Sequence, residues 1–432
     1  MENNEKHVLY PEYKIFLAIC LLFVVSAFIF SSPSEIVQGL GEIFKSRGLL
    51  LTDYMVVGGI GAAIINSTIV GLYSVLLLYL AKAKPTGGMI MALWMAVGWT
   101  YWGAHVFSIM PLTIGCWLYA KFKKRPFSDF LVIALLGETI APLVSVFYVS
   151  NPIMLHMEAS WPVVLNVVMG IGFGIIAGFL LPIIAGAATR FHDGYTLYNM
   201  GVTGGFIAVF AAGLFKAFGI AVPTESIVMA GENFRLSIYL FVIFASLIGT
   251  GLFLGAKNKT NHVENLKGII AHPGHAPNDY YTMFGPTAYI NMGLLGCIGT
   301  LVVLAIKAEL GGATFACIFS MVAFGCFGKT IYNVLPVMTG AILCAFLNGT
   351  PFNATGNILP ILFCSCLAPI AGEYGWFWGI VTGFFHVLIT QHIGSITNGF
   401  NIYNNGFCSG FVAFFIVAVA AALRPEKKEA SA

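Results

Sequence analysis

The chain has 432 residues, of which 58% are hydrophobic and only 9% charged, and its formal net charge is +3. Its mean hydropathy is +0.88. A soluble domain carries roughly a quarter charged residues, so this composition excludes a soluble enzyme, a nucleic-acid binder and a disordered scaffold. It predicts an all-α, polytopic membrane protein whose first partner is the lipid bilayer.

The N-terminus is polar as far as Lys14 and then apolar to Phe30. Ser31-Ser32-Pro33-Ser34 follows with no A-x-A cleavage pattern, so a retained first helix is expected. Further apolar stretches near the spanning length of about 20 residues recur down the chain. They fall near 15–31, 54–80, 88–106, 109–120, 129–149, 163–187, 196–215, 236–254, 282–305, 313–331, 332–346, 356–373, 375–391 and 397–421, about fourteen in all. Two of them, 109–120 and 332–346, are short and carry Pro111 and Pro336 near their starts. Short or proline-broken segments at matching places in two halves are a common pointer to a transporter site.

The halves match. Met110 to Phe127 aligns without gaps on Leu335 to Phe352, a shift of 225 residues. The same shift brings Asn66 onto Asn291, Gly71 onto Gly296, Lys82 onto Lys307 and Gly103 onto Gly328. LGETIAPL (Leu136 to Leu143) meets FCSCLAPI (Phe363 to Ile370) after a two-residue slip. DGYTLYNMGVTGGF (Asp193 to Phe206) meets NGFNIYNNGFCSGF (Asn398 to Phe411) at a shift of 205. About 22 extra residues of the first half then fit the loop around Val149 to Pro162. The expected organisation is two repeats of about seven spans, 1–235 and 236–432.

An odd number of spans per repeat makes the copies enter the membrane from opposite sides. With the N-terminus inside, fifteen of the 21 Lys and Arg fall in cytoplasmic segments, among them Lys6, Lys82, Lys84, Lys121, Lys123, Lys124, Arg125, Lys427 and Lys428. Such a bias is what orients membrane proteins. The basic loop KFKKRPF lies inside and its uncharged mate FLNGTPF outside, as an inverted repeat requires. The expected location is a bacterial cytoplasmic (inner) membrane with both termini inside.

Polar groups inside a bilayer are costly unless they are paired or line a wet cavity. Glu138 lies in the middle of its span, where it reads as a coupling carboxylate or a substrate counter-charge. Lys329 precedes the break at Asn333 to Pro336, and its mate is Ala104, as the mate of Glu138 is near Ser365. Lys329 is expected either to pair with Glu138 across the pseudo-two-fold axis or to snorkel to the cytoplasmic interface. The Tyr-Asn segments place Tyr198 and Asn199 against Tyr403 and Asn404 as a paired solute-binding or selectivity element. Matched Asn66 and Asn291, with Ser108 and Asn333 just before the matched prolines, complete the expected substrate-binding set. Arg190, His192 and Asp193 open the first Tyr-Asn segment as a cap or a cytoplasmic gate. His105, His386 and His392 read as packing histidines, while His272, His275 and Asp279 form a loop cluster that could chelate a divalent ion.

The nine cysteines sit in apolar runs with no zinc or disulfide spacing. No phosphate loop, Ser-His-Asp set, HExxH or dinucleotide fingerprint occurs in a plausible context. No metal, cofactor or enzymatic activity is expected.

FHDGYTLYNMGVTGG, SPSEIVQGL, FGKTIYNVLP and APLVS together resemble an uncharacterised bacterial family of internally duplicated polytopic membrane proteins. The resemblance covers essentially the whole chain and implies the duplicated fold, but no substrate. The first repeat departs from the Gly-Lys-x-x-x-Asn pattern, reading Gly103-Ala104-His105-Val106-Phe107-Ser108. A fainter likeness is to urea transporters, which also have inverted halves and a Gly-Tyr-x-x-Asn-like segment. The expected function is a secondary transporter of a small polar, zwitterionic or anionic solute, coupled to H+ or Na+, with its site at the repeat interface near the midplane. A channel for an uncharged polar solute and a non-transporting accessory protein are the alternatives, and a homo-oligomer is left open.

Overall fold

A computed structural model describes residues 9–157, 162–222, 224, 226–276 and 278–424. Lys6, Lys427 and Lys428, which entered the charge count, lie outside them. The described residues are helical, with only isolated β-bridges between loops. The first half runs α1 (Pro11–Phe30), α2 (Pro33–Phe44), α3 (Tyr54–Val57), α4 (Ile60–Leu80), α5 (Gly87–Trp99), α6 (Val106–Phe122), α7 (Leu131–Leu135), α8 (Pro142–Ser150), α9 (Pro152–His156), α10 (Val163–His192) and α11 (Asn199–Ala217). The second half repeats that order, with no counterpart of α9. Its helices are α12 (Asn233–Asn258), α13 (His262–Ala271), α14 (Tyr280–Phe284), α15 (Thr287–Ala305), α16 (Gly312–Phe324), α17 (Ile331–Leu347), α18 (Thr355–Phe363), α19 (Ala368–Tyr374), α20 (Trp376–Ile393) and α21 (Asn404–Ala422).

The apolar stretches divide into two kinds. Eight helical segments are long and apolar enough to cross a membrane, or nine if the pair Phe127–Ile140 and Pro142–Ser150, bent by 45°, makes one span. By contrast α5 and α16 have 13 residues each, and α6 and α17 have 17. At 1.5 Å per residue a 13-residue helix reaches about 20 Å, short of a hydrocarbon core of about 30 Å. The chain is thus a multi-pass membrane protein whose core holds half-length helices.

α5 and α16 are apolar around their whole circumference and almost wholly buried, the pattern of a helix enclosed by protein. They run antiparallel. A Cβ placed on Gly87, the first residue of α5, would meet the carbonyl of Cys326 just past α16 at 2.7 Å. Gly312, the first residue of α16, lies against the carbonyl of Tyr101 just past α5. Midway, the rings of Trp94 and Phe319, mates in the alignment, stack 6.1 Å apart.

Proline creates the other irregularity. Pro142 has no N–H to give to the carbonyl four residues back, so that oxygen, on Glu138, takes the Ala141 N–H at 2.9 Å instead. The chain tightens into a 3-10 turn over Leu136–Ile140. Pro369 does the same in the second half, where Ser365 receives the Ala368 N–H and Cys364–Leu367 is 3-10. Pro111 likewise leaves the Phe107 carbonyl free, and the Tyr148 hydroxyl donates to it at 3.2 Å. The extra residues of the first half do not all form a loop. They build α9 and lengthen α10, which has 30 residues against 18 in α20.

Candidate functional site where the two halves cross

Between α10 and α11, and between α20 and α21, the chain is irregular. Asp193 and Gly194 turn it at φ 49° and 74°, and their mates Asn398 and Gly399 at 50° and 74°. Left-handed backbone suits glycine, and Asp and Asn tolerate it best among the rest. Each segment then enters the opposite half. Leu197 N–H donates to Cys366 O at 2.9 Å, and its mate Ile402 N–H donates to Thr139 O at 2.9 Å. α11 and α21 meet at Gly201 and Gly406, where a Cβ on Gly201 would lie 2.7 Å from Gly406 Cα. Small residues let helices approach this closely in a membrane.

The crossing delivers Tyr198 and Tyr403 to the two buried charges. The Tyr403 hydroxyl donates to Glu138 Oε1. Lys329 Nζ donates to the Tyr198 hydroxyl at 2.7 Å and to Ser365 Oγ at 2.9 Å, and lies 4.5 Å from the centre of the Tyr198 ring. Glu138, Lys329 and Ser365 are fully buried, and both tyrosines nearly so. Glu138 Oε2 has no hydrogen-bond partner. An aromatic path joins the two ends. Tyr403 packs on Trp99 with centroids 3.7 Å apart, Trp99 stacks on Phe363 at 5.1 Å, and Phe363 meets Tyr198 edge-on at 6.2 Å.

The expected Glu138–Lys329 ion pair is not formed, and this corrects the sequence reading. Each charge is instead bonded by the tyrosine of the other half, because the crossing segments exchange between the halves. The matched asparagines are also placed differently. Asn66 Nδ2 donates to Thr100 O at 2.7 Å and Ala104 O at 3.0 Å. Asn291 Nδ2 donates to the mates of those carbonyls, Gly325 O at 2.7 Å and Lys329 O at 2.8 Å. Both clamp the break that follows a half-length helix. Ser108 and Asn333 cap α6 and α17, receiving the N–H groups of His105 at 3.1 Å and Thr330 at 2.8 Å. Asn199 Oδ1 accepts from His192 Nε2 at 3.0 Å while its Nδ2 donates to Ala185 O at 3.3 Å, and Asn404 Oδ1 accepts from Thr397 Oγ1 at 3.1 Å. Of the expected set, Tyr198, Tyr403, Glu138 and Lys329 gather at the crossing. The amides of Asn66, Asn291 and Asn333 are engaged by backbone, the side chain of Asn199 by residues of α10, and that of Asn404 by Thr397.

Sequence reasoning missed Trp99 and Asp53, and read Asp279 as part of a chelating loop cluster rather than as the mate of Asp53. Asp53 Oδ2 accepts from Gly312 N at 2.8 Å, anchoring the start of α16. Asp279 accepts from Gly87 N at 2.9 Å with both oxygens, anchoring the start of α5. The signal was present, since Asp-Tyr recurs at 53–54 and 279–280. Asp279 is therefore a helix anchor, and no cluster of three His, Cys, Asp or Glu suited to a metal occurs among the described residues. His105 is buried against Phe44 and Phe107 with neither ring nitrogen bonded.

These features define a class: an all-helical, multi-pass membrane protein with broken helices and a buried acid and base. The chain belongs to the family described as "Protein of unknown function (DUF1576)", which matches residues 32–217 and 258–422. No curated protein and no solved structure matches it.

Proposed function

We propose that the chain is a secondary transporter working by alternating access, with its solute site at the crossing of two inverted repeats. The observation that carries this reading is a fully buried acid and base, unpaired with each other and held by hydroxyls from opposite halves. Intramembrane ionisable groups are costly and mark solute or ion pathways by default. A scaffold protein would gain nothing from keeping them apart.

The antiparallel α5 and α16 support inverted halves, since mates in a parallel repeat would run the same way. Matched closures support alternating access. Leu50 N–H, on the loop before α3, donates to Gly399 O at 3.1 Å. On the loop before α14, His275 Nε2 bonds Asp193 O at 2.8 Å, and its ring stacks on Tyr195 at 4.2 Å. Each loop ties one repeat's end to the crossing segment of the other. Opening one while the other stays closed exposes the centre to one side at a time. Glu138 and Lys329 serve as the charged solute contacts, and the transporter is not an enzyme.

The test is uptake into proteoliposomes containing the purified chain, against a panel of radiolabelled small polar metabolites with imposed proton or sodium gradients. Saturable, gradient-driven accumulation that Lys329→Met abolishes is expected. Flux that stays linear in concentration and ignores both gradients would indicate a channel. No flux of any solute would remove the transport reading.

A further inference from the structure

We propose that the chain holds one anionic phospholipid, with an acyl chain seated in a groove between α8, α10 and α11 and the phosphate at Lys216. This inference goes beyond the transporter reading and does not depend on it. The groove has a volume of about 300 Å³ and is lined by apolar side chains only. Phe147 and Phe215 form its buried floor, edge to face at 6.0 Å, and Phe147 stacks on Phe173 at 4.4 Å. Its rims stand out from the protein, with Ile176 on α10 and Phe210 and Leu214 on α11 all exposed. A concave apolar surface on a membrane helix bundle suits a hydrocarbon chain, because the groove offers no polar group that the chain would leave unsatisfied.

The dimensions suit a lipid of one leaflet. On α11 the lining runs from Phe206 to Phe215, about 14 Å at 1.5 Å per residue. Half of a hydrocarbon core of about 30 Å is nearly the same length. The groove starts near the middle of α11 and ends in its last turn. There a second cavity, of about 830 Å³, lies against that turn and has Phe215 in common with the groove. Its lining adds the polar groups that the groove lacks, Lys216, Ser395 and Asn398. Among the described residues lining either cavity, Lys216 is the one charged side chain. His156, at the end of α9, stands close by, since a Cβ on Gly219 would lie 3.4 Å from its ring. A lysine at a helix end lays its apolar stem along the membrane boundary and holds its amine at headgroup level. A cation flanked by neutral donors and no carboxylate fits a phosphodiester.

The second half closes the matching place with its own chain. Arg424 stands there as the mate of Gly219, lies 5.0 Å over the ring of Tyr374 and bonds Glu373 at 3.2 Å. Tyr374 and Glu373 are the mates of Phe147 and Val146. In the first half a glycine at φ 70° replaces the arginine and a valine replaces the carboxylate. The end of the groove therefore stays open, and its cation has no acidic mate to answer it. An anionic headgroup supplies that charge.

The test is native mass spectrometry of the delipidated full-length chain in detergent, titrated with phosphatidylglycerol, phosphatidylcholine or glycerol 3-phosphate. One phosphatidylglycerol per chain is expected to bind about tenfold tighter than phosphatidylcholine, as a charged hydrogen bond implies, and glycerol 3-phosphate, which has no tail, should not bind. Lys216→Gln should remove the preference for phosphatidylglycerol and leave phosphatidylcholine unchanged. Ala177→Phe and Ala211→Phe, which fill the groove, should weaken both lipids by about tenfold. If these larger side chains prevent folding, the comparison of the three ligands on the unsubstituted chain and on Lys216→Gln decides. Equal binding of the two lipids, a preference that survives Lys216→Gln, or binding of the tailless phosphate alone overturns the proposal. So does a dimer whose Phe210→Cys variant cross-links across this face, since a second copy would then be the occupant.

Discussion

At the residue scale the site depends on two tyrosine hydroxyls. Tyr403→Phe removes one oxygen and leaves both carboxyl oxygens of Glu138 without a partner, a loss worth about 1–3 kcal/mol for a buried polar group. Tyr198→Phe leaves Lys329 its bond to Ser365, so a smaller loss is expected. SDS unfolding titrations of the two variants check that order, and equal costs would contradict it. Glu138 and Lys329 were legible in the sequence because an ionisable residue in an apolar run stands out. Their partners were not. Which hydroxyl reaches which charge depends on the crossing of segments about 200 residues apart, and the alignment of mates predicts only that the two environments are alike. The asparagines were legible as important but were assigned the wrong partners. An amide in a membrane can satisfy either a solute or a broken helix, and here Asn66 and Asn291 each hold two carbonyls of a break.

At the element scale the half-length helices are the least conventional feature and the easiest to misjudge. The stretches 88–106 and 313–331 have spanning length in the sequence, yet helix ends at Trp99 and at Phe324. The reason is local. Gly103 and Gly328 take φ of 76° and 105°, which a continuing helix does not allow, and the following Ser108 and Thr330–Asn333 caps start a new helix. What hydropathy could not reveal is that the other half holds the start of each half-length helix. Asp53→Ala frees the first turn of α16 and Asp279→Ala frees that of α5. Losing such a cap costs about 0.5–2 kcal/mol, more where the N–H is buried. Thermal unfolding in detergent should show comparable destabilisation for the two variants. A large effect from one and none from the other would argue that only one anchor is structural.

At the scale of the whole molecule, Pro, Asn, Gly and Tyr-Asn positions align between the halves in the sequence, and the same positions recur in matched hydrogen bonds. The number of spans was less legible, because composition does not separate a helix that crosses the bilayer from one that enters and stops. In the transporter reading proposed above, the two halves face opposite ways and the loops before α3 and α14 close opposite ends of one path. The most direct measurement is sided labelling of mates. Lys123→Cys and Asn348→Cys place one thiol at the exposed end of α6 and one at the exposed end of α17. Of the native cysteines, eight are buried and Cys297 is half-buried, so the unsubstituted chain supplies the background. A membrane-impermeant maleimide should label Asn348→Cys in intact cells stripped of their outer layers, and Lys123→Cys only after the membrane is opened. Labelling of both from the same side would contradict inverted halves, and with them the alternating mechanism.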